Sequence, residues 1–111
     1  MSKDCLIGFD LLVTIVNKGF AEEVMTAAKT AGAEGGTIIN GRGTGVHENA
    51  KLFGIAIEPE KEIVLILVDR ANTNKALDVI TNALELNKPG KGIAFVLDVE
   101  KVVGICHLLK G

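Results

Sequence analysis

The chain contains no Trp and no Tyr, and its only aromatic side chains are Phe9, Phe20, Phe53 and Phe95. Its core must therefore be aliphatic, built from Val, Ile, Leu and Ala. Ser2 is the only serine, which leaves no basis for a Ser-His-Asp nucleophile. The two cysteines, Cys5 and Cys106, lie far apart and match no metal or redox spacing, so free thiols are expected. A disulfide between them would be unusual in the cytoplasmic setting expected for this chain. No apolar run is long: the longest, residues 63–68, falls far short of the roughly 20 residues that cross a bilayer. Residues 1–5 lack the apolar core of a signal peptide, and cytoplasm is the default expectation. Lys and Arg are spread along the chain and the net charge is only -2, which argues against a nucleic-acid surface.

What is present is a chain of 111 residues, 48% of them hydrophobic, enough for one domain spanning residues 1–111 with a modest core. Residues 11–16 (LLVTIV) are aliphatic and β-branched, as in a strand buried on both faces. Residues 17–19 break it. Apolar residues at 20, 24, 25, 28 and 31 follow a helical period, with Glu22 and Glu23 in the first turn and Gly32 placed to close the helix. Residues 37–39 start a second strand, and 41–51 read as loop. Residues 52–57 suggest a strand arm, with a turn at 58–60, and 62–69 (EIVLILVD) form the clearest central strand. Asn72 or Thr73 can cap a second helix whose buried stripe is Ala76, Leu77, Ile80, Ala83 and Leu84. Residues 87–91 end it, 93–97 make a fourth strand, 98–101 a turn, and 102–108 a further short strand.

The order β-α-β-β-α-β is that of a ferredoxin-like α+β sandwich, an antiparallel sheet with both helices on one face. A run such as IVLILV is apolar on both faces, yet only one face has helices to cover it. The bare face predicts self-association with closed symmetry. Periodicity alone does not choose three copies over two.

The most informative stretch is Gly35-Gly36-Thr37-Ile38-Ile39-Asn40-Gly41-Arg42-Gly43-Thr44-Gly45. Glycines permit close backbone approach, and successive N–H groups beside Arg42 make a cradle for an anion. Pro89-Gly90-Lys91-Gly92 repeats the theme late in the chain. The first segment lacks the Gly-Lys-Ser/Thr ending of a P-loop, and no helix follows it as a dinucleotide fingerprint requires. Two Gly/basic loops at strand ends suggest a small anionic ligand.

Several other groups read more plainly. His47 and Glu48 are adjacent in a polar loop without a third ligand nearby, so no metal site is expected. Cys106 and His107 read as a buried strand Cys beside an exposed His. Glu58, Glu60, Lys61 and Glu62 read as a solvated turn rather than an acid–base pair. No catalytic centre is expected.

The chain resembles the PII-like signalling proteins, the nitrogen-regulatory PII superfamily, over about residues 11–105. The resemblance rests on Lys18-Gly19-Phe20, on Gly35-Gly36-Thr37-Ile38, on Gly90-Lys91-Gly92-Ile93-Ala94-Phe95-Val96, and on the segment from Asp98 to Ile105. It implies a homotrimer that binds an adenine nucleotide, ATP, ADP or AMP, in clefts between subunits. It also implies a long T-loop, here residues 43 to about 59 within the loop region 41–60, that docks onto a target enzyme or transporter. By the same resemblance Thr37 faces an adenine, Lys61 approaches phosphates, Gly43-Thr44-Gly45 forms the T-loop base and Gly90-Lys91-Gly92 the phosphate-holding B-loop. Arg42, Lys61 and Lys91 would carry charge recognition. The departures matter too. Ile93, Gly104 and Cys106 stand where basic residues hold phosphates in the family, which removes three charge-assisted contacts and implies weakened ATP binding, a less charged nucleotide or another small ligand. Uridylylation on a T-loop Tyr is excluded, since there is none, and Thr44 is the only loop hydroxyl. The alternative is a metal- or thiol-responsive trimer resembling the divalent-cation tolerance proteins, in which His47, Cys106 and His107 would matter. A third, a degradative enzyme on this scaffold, lacks an acid–base constellation.

Overall fold

A computed structural model describes residues 8–45, 51–52, 55–56 and 58–105. The elements run β1 (Phe9–Asn17), α1 (Ala21–Thr30), β2 (Thr37–Arg42), β3 (Lys51–Leu52), β4 (Ile55–Ala56), β5 (Glu60–Asp69), a 3₁₀ turn (Arg70–Asn72), α2 (Thr73–Leu84) and β6 (Gly92–Val99). The main sheet has the order β2-β5-β1-β6 and every pairing in it is antiparallel. This is the expected ferredoxin-like arrangement. β3 and β4 form a separate two-stranded ladder, so the single arm expected at 52–57 is two short strands.

Alternation along each strand assigns the faces. Leu12 and Val16 of β1 and Val64, Ile66 and Val68 of β5 point to one side, where they pack with Val24, Ala27 and Ala28 of α1 and Ala76, Ile80 and Leu84 of α2. Leu12, Ile66 and Ile80 are wholly buried, and each such side chain contributes about 1.5–3 kcal/mol by burial alone. Thr14 lies in the same layer, its hydroxyl without a hydrogen-bond partner among the described residues. The core is aliphatic, as a chain with four Phe requires. Two helix positions differ from expectation. Phe20 precedes α1 and is exposed, and the adjacent Ala21 is the buried residue. Ala83 is exposed, and Val79 packs against the core instead.

The opposite face carries no helix. Rows of directly paired residues cross it: Leu11 with Leu67 and Leu97, Val13 with Leu65 and Phe95, and Ile15 with Ile63 and Ile93. Ile39 extends the last row from β2. At the ends of these rows Ile93 is 56% exposed, Leu97 50%, Ile39 44% and Phe95 40%.

Strand ends reach further than the sequence implied. β2 continues through Gly41 and Arg42, β5 begins at Glu60, and β6 includes Gly92, Asp98 and Val99. Residues 102–105 form no strand, and the rest of the strand expected at 102–108 lies outside the described residues. Glu60 and Lys61 are therefore strand residues continuous with Glu62, not part of a solvated turn. Their alternation has consequences: Glu62 points to the helix side, where its Oε1 accepts from the Gly19 N–H at 2.8 Å and the Ala21 N–H at 3.0 Å. It supplies the cap that Phe20 cannot, and places its negative charge at the positive end of α1. Lys18 pairs with Glu60 beside it, and this partner raises the Lys18 pKa. Glu62→Ala is expected to destabilise the protein by about 1 kcal/mol, read as a lower denaturant midpoint with an unchanged slope.

α2 is entered differently from expectation. Neither Asn72 nor Thr73 caps it locally. Asp69 accepts from the Ala71 N–H and starts the 3₁₀ turn, and the Thr73 hydroxyl donates to Asp10 across the sheet end. Arg70 ties the same corner together, joining the carboxylates of Asp10 and Asp98 and the carbonyls of Phe9 and Val99. The Thr73 hydrogen bond and the Arg70 guanidinium hold the Asp10 carboxyl below the ordinary Asp range.

Candidate functional site

Both Gly/basic segments meet at one end of the helix-free face. β2 leaves the sheet as Arg42-Gly43-Thr44-Gly45, and the α2–β6 connection returns as residues 86–92. Between them lies a cavity of about 550 Å³. Its floor is aliphatic: Ile15, Ile63 and Ile93, with Leu86 at the side. Its polar lining comes from Arg42, Gly43, Thr44, Gly45, Lys61, Asn87, Lys88 and the backbone at Gly90 and Gly92. Seven of the nine residues singled out from sequence thus surround one space, and they do so within a single copy. Pairing of β5 with both β1 and β2 and of β6 with β1 brings these strand ends together within one chain.

Two of the nine stand elsewhere. Lys91 is not part of the lining; its ammonium lies 3.8 Å from Glu85 Oε1. The connection presents Lys88 to the cavity instead, although Lys88 is engaged with Glu85 at 2.7 Å. These two ammonium groups lower the Glu85 pKa, Lys88 first. Thr37 pairs with Leu65, four residues along β5 from Lys61, or roughly 13 Å. It lines a second cavity of about 640 Å³ at the other end of the open face, beside Gly32, Gly35, Gly36, Asp69 and Asn72.

Local geometry explains how the first cavity is held. The Gly43 N–H donates to the Pro59 carbonyl at 3.1 Å, which joins the two ends of the intervening segment. Lys61 stands opposite Asn17 in the β1–β5 register and donates to Asn17 Oδ1 at 2.7 Å. Asn17 Nδ2 in turn donates to the Gly90 carbonyl at 3.2 Å. Gly90 has φ +78° and Gly92 φ +138°, conformations that L side chains rarely adopt. Gly92 also packs against the Ile15 carbonyl, leaving no room for a Cβ.

Sequence reading missed Ile15, Ile63, Leu86, Asn87 and Lys88 as lining residues, and it took Asn17 for a strand stop. The alternation of Lys61 against Glu62 was the available signal for the floor, because it puts residues 61 and 63 on one face. Of the basic positions lost relative to the family pattern, Ile93 lies on the cavity floor and Gly104 has φ +99° with open space around it. Cys5, His47, Glu48, Cys106 and His107 lie outside the described residues. Among the described residues no three His, Cys, Asp or Glu side chains are grouped to hold a metal. No helix among them is long and apolar enough to cross a membrane.

Fold and cavity together define a ferredoxin-like α+β protein with an apolar open sheet face and a basic, glycine-walled cavity at its end. The model of the nitrogen regulatory protein P-II family matches residues 9–107, and the chain belongs to that family. No curated protein matches it significantly. Proteins of this family are regulatory rather than catalytic, and membership supports a PII-like regulatory protein.

Proposed function

We propose that this protein binds a small anionic effector, an adenine nucleotide, in the cavity between residues 42–45 and 86–92, and relays occupancy to a partner enzyme or transporter through the segment between Gly43 and Pro59. The convergence of Arg42, Lys61 and two glycine-rich backbones around one cavity is the observation that carries this reading. An aliphatic floor suits a base or ribose edge, and cations with backbone N–H groups at the rim suit phosphate oxygens. Ile93 and Gly104 contribute no charge, so ADP and AMP are favoured over ATP.

The working form is a homotrimer. The uncovered rows of Leu, Ile, Val and Phe on the open face support association, and three copies would enclose them around a common axis. Both cavities sit on this face, one at each end. A neighbouring copy can therefore bring its Thr37 end towards the Arg42–Lys61 end of the first, which would restore Thr37 to the site.

A ligand that binds only the folded form raises the melting temperature, by about 2.7 kcal/mol of added stability at a hundredfold excess over Kd. ADP or AMP is expected to raise it at millimolar concentration, and the Arg42→Ala/Lys61→Ala pair is expected to remove that shift. The panel includes ATP, cyclic nucleotides, bicarbonate and divalent metals. A response to metals alone would overturn the nucleotide reading, and no nucleotide response at all would do the same.

A further inference from the structure

Asn17 closes β1 and does not line the cavity, yet its side chain joins the two walls that do. The carboxamide oxygen accepts from the Lys61 ammonium and the carboxamide nitrogen donates to the Gly90 carbonyl. These two partners come from β5 and from the α2–β6 connection, so one side chain spans both. Lys61 carries a compact charge on a flexible four-carbon stem. A fixed acceptor beneath it directs that charge before any ligand arrives and reduces the ordering needed on binding.

The chemistry at position 17 is restrictive. The bridge needs one acceptor and one donor on a short, planar group, and Asn supplies both. Asp would set a carboxylate against the Gly90 carbonyl, where no donor remains. It would also pair with the Lys61 ammonium and offset the charge an anion needs. Ala offers neither contact. Asn17 is itself set by register: it lies directly opposite Lys61, and its neighbour Val16 is paired with Gly92.

We propose that Asn17 is the positioning residue of this cavity, holding the Lys61 ammonium and the Gly90 backbone in fixed relation so that an incoming phosphate-class anion meets both walls already formed. This rests on the reading of the cavity as an anion site. Asn17 does not touch the anion; it acts through Lys61.

The test is a double-mutant cycle on the full chain, with ADP, AMP and inorganic phosphate titrated calorimetrically. Lys61→Ala is expected to weaken the tightest of these probes about tenfold or more, the loss of one charge-assisted contact. Asn17→Ala is expected to weaken it about fivefold, and Asn17→Asp about tenfold, with the larger loss for the more highly charged probe. In the Lys61→Ala background, Asn17→Ala is expected to change affinity by less than about twofold, because the two residues act as one unit. Asn17→Asp is close to isosteric and keeps the experiment informative if Asn17→Ala folds poorly. Wild-type affinity in both Asn17 variants, alongside a weakened Lys61→Ala, would overturn the positioning role and leave the anion site standing. An equal Asn17→Ala loss with and without Lys61 would also overturn it, since a general strut behaves that way. No binding of any probe by the unmodified protein would overturn the site and the positioning role together.

Discussion

Gly92→Ala is expected to unfold at a much lower denaturant concentration than the unmodified chain, with a loss of about 3 kcal/mol or more. Two independent costs coincide at this position. A Cβ built there would sit 2.6 Å from the Ile15 carbonyl oxygen and 3.1 Å from Val16 Cγ1. The first of these is backbone inside a paired strand, which cannot swing aside as a side chain can. The residue also has φ +138°, where an L side chain is strained by about 1–3 kcal/mol before any contact is counted. Overpacking against fixed neighbours typically adds about 1–3 kcal/mol. For a domain of this size each kcal/mol corresponds to roughly 4–8 °C in melting temperature, so the variant should melt well over ten degrees lower at equal protein concentration. Gly90→Ala is the informative comparison. It shares a positive φ, +78°, but meets open space, and should lose only the conformational part. Equal stability of the two variants would show that contact with Ile15 is not the limiting feature.

The second large effect concerns the open face. The unmodified protein is expected to sediment as three copies, and a chain carrying both Phe95→Asp and Leu97→Asp as a single copy under the same conditions. Phe95 and Leu97 lie two residues apart on β6, so both project from the side without helices, and both are substantially exposed in one chain. Placing two carboxylates in an enclosed apolar contact would bury unpaired charge, a penalty well beyond what the contact returns. The helix-side core does not involve either residue, so circular dichroism should retain the helical signal. Sedimentation of the unmodified chain as a single copy at micromolar dilution would refute the assembly, as would assembly of the double variant at full strength.

The order and type of the main elements were legible in the sequence because the aliphatic runs are long and the helix period is clear in 20–31 and 73–84. The bare sheet face was legible for the same reason: IVLILV is apolar at every position, while two helices cover only alternate ones. Strand ends were not legible. Gly41, Arg42, Glu60, Lys61 and Gly92 are turn-like by composition, yet antiparallel partners extend the ladder through them. That tertiary pairing overrides local preference and turns an apparently solvated charge cluster into a helix cap on one side and a cavity wall on the other. The glycine-rich loops could be seen as related, but their meeting within one copy depends on β5 lying between β1 and β2, which no local pattern encodes. Asn17 was invisible for a different reason. Its role depends on Lys61 and Gly90, 44 and 73 residues away, and an Asn after a strand ordinarily signals only a stop.

The hydrogen bond from Gly43 to Pro59 carries a consequence for how such a protein can diversify. It pinches the chain at the root of an excursion, so the sheet is indifferent to how much polypeptide hangs beyond the pinch. Doubling the length of the excursion would add only about 0.6 kcal/mol in closure entropy. Natural variation can therefore lengthen or shorten that stretch at little cost to the sheet below the pinch.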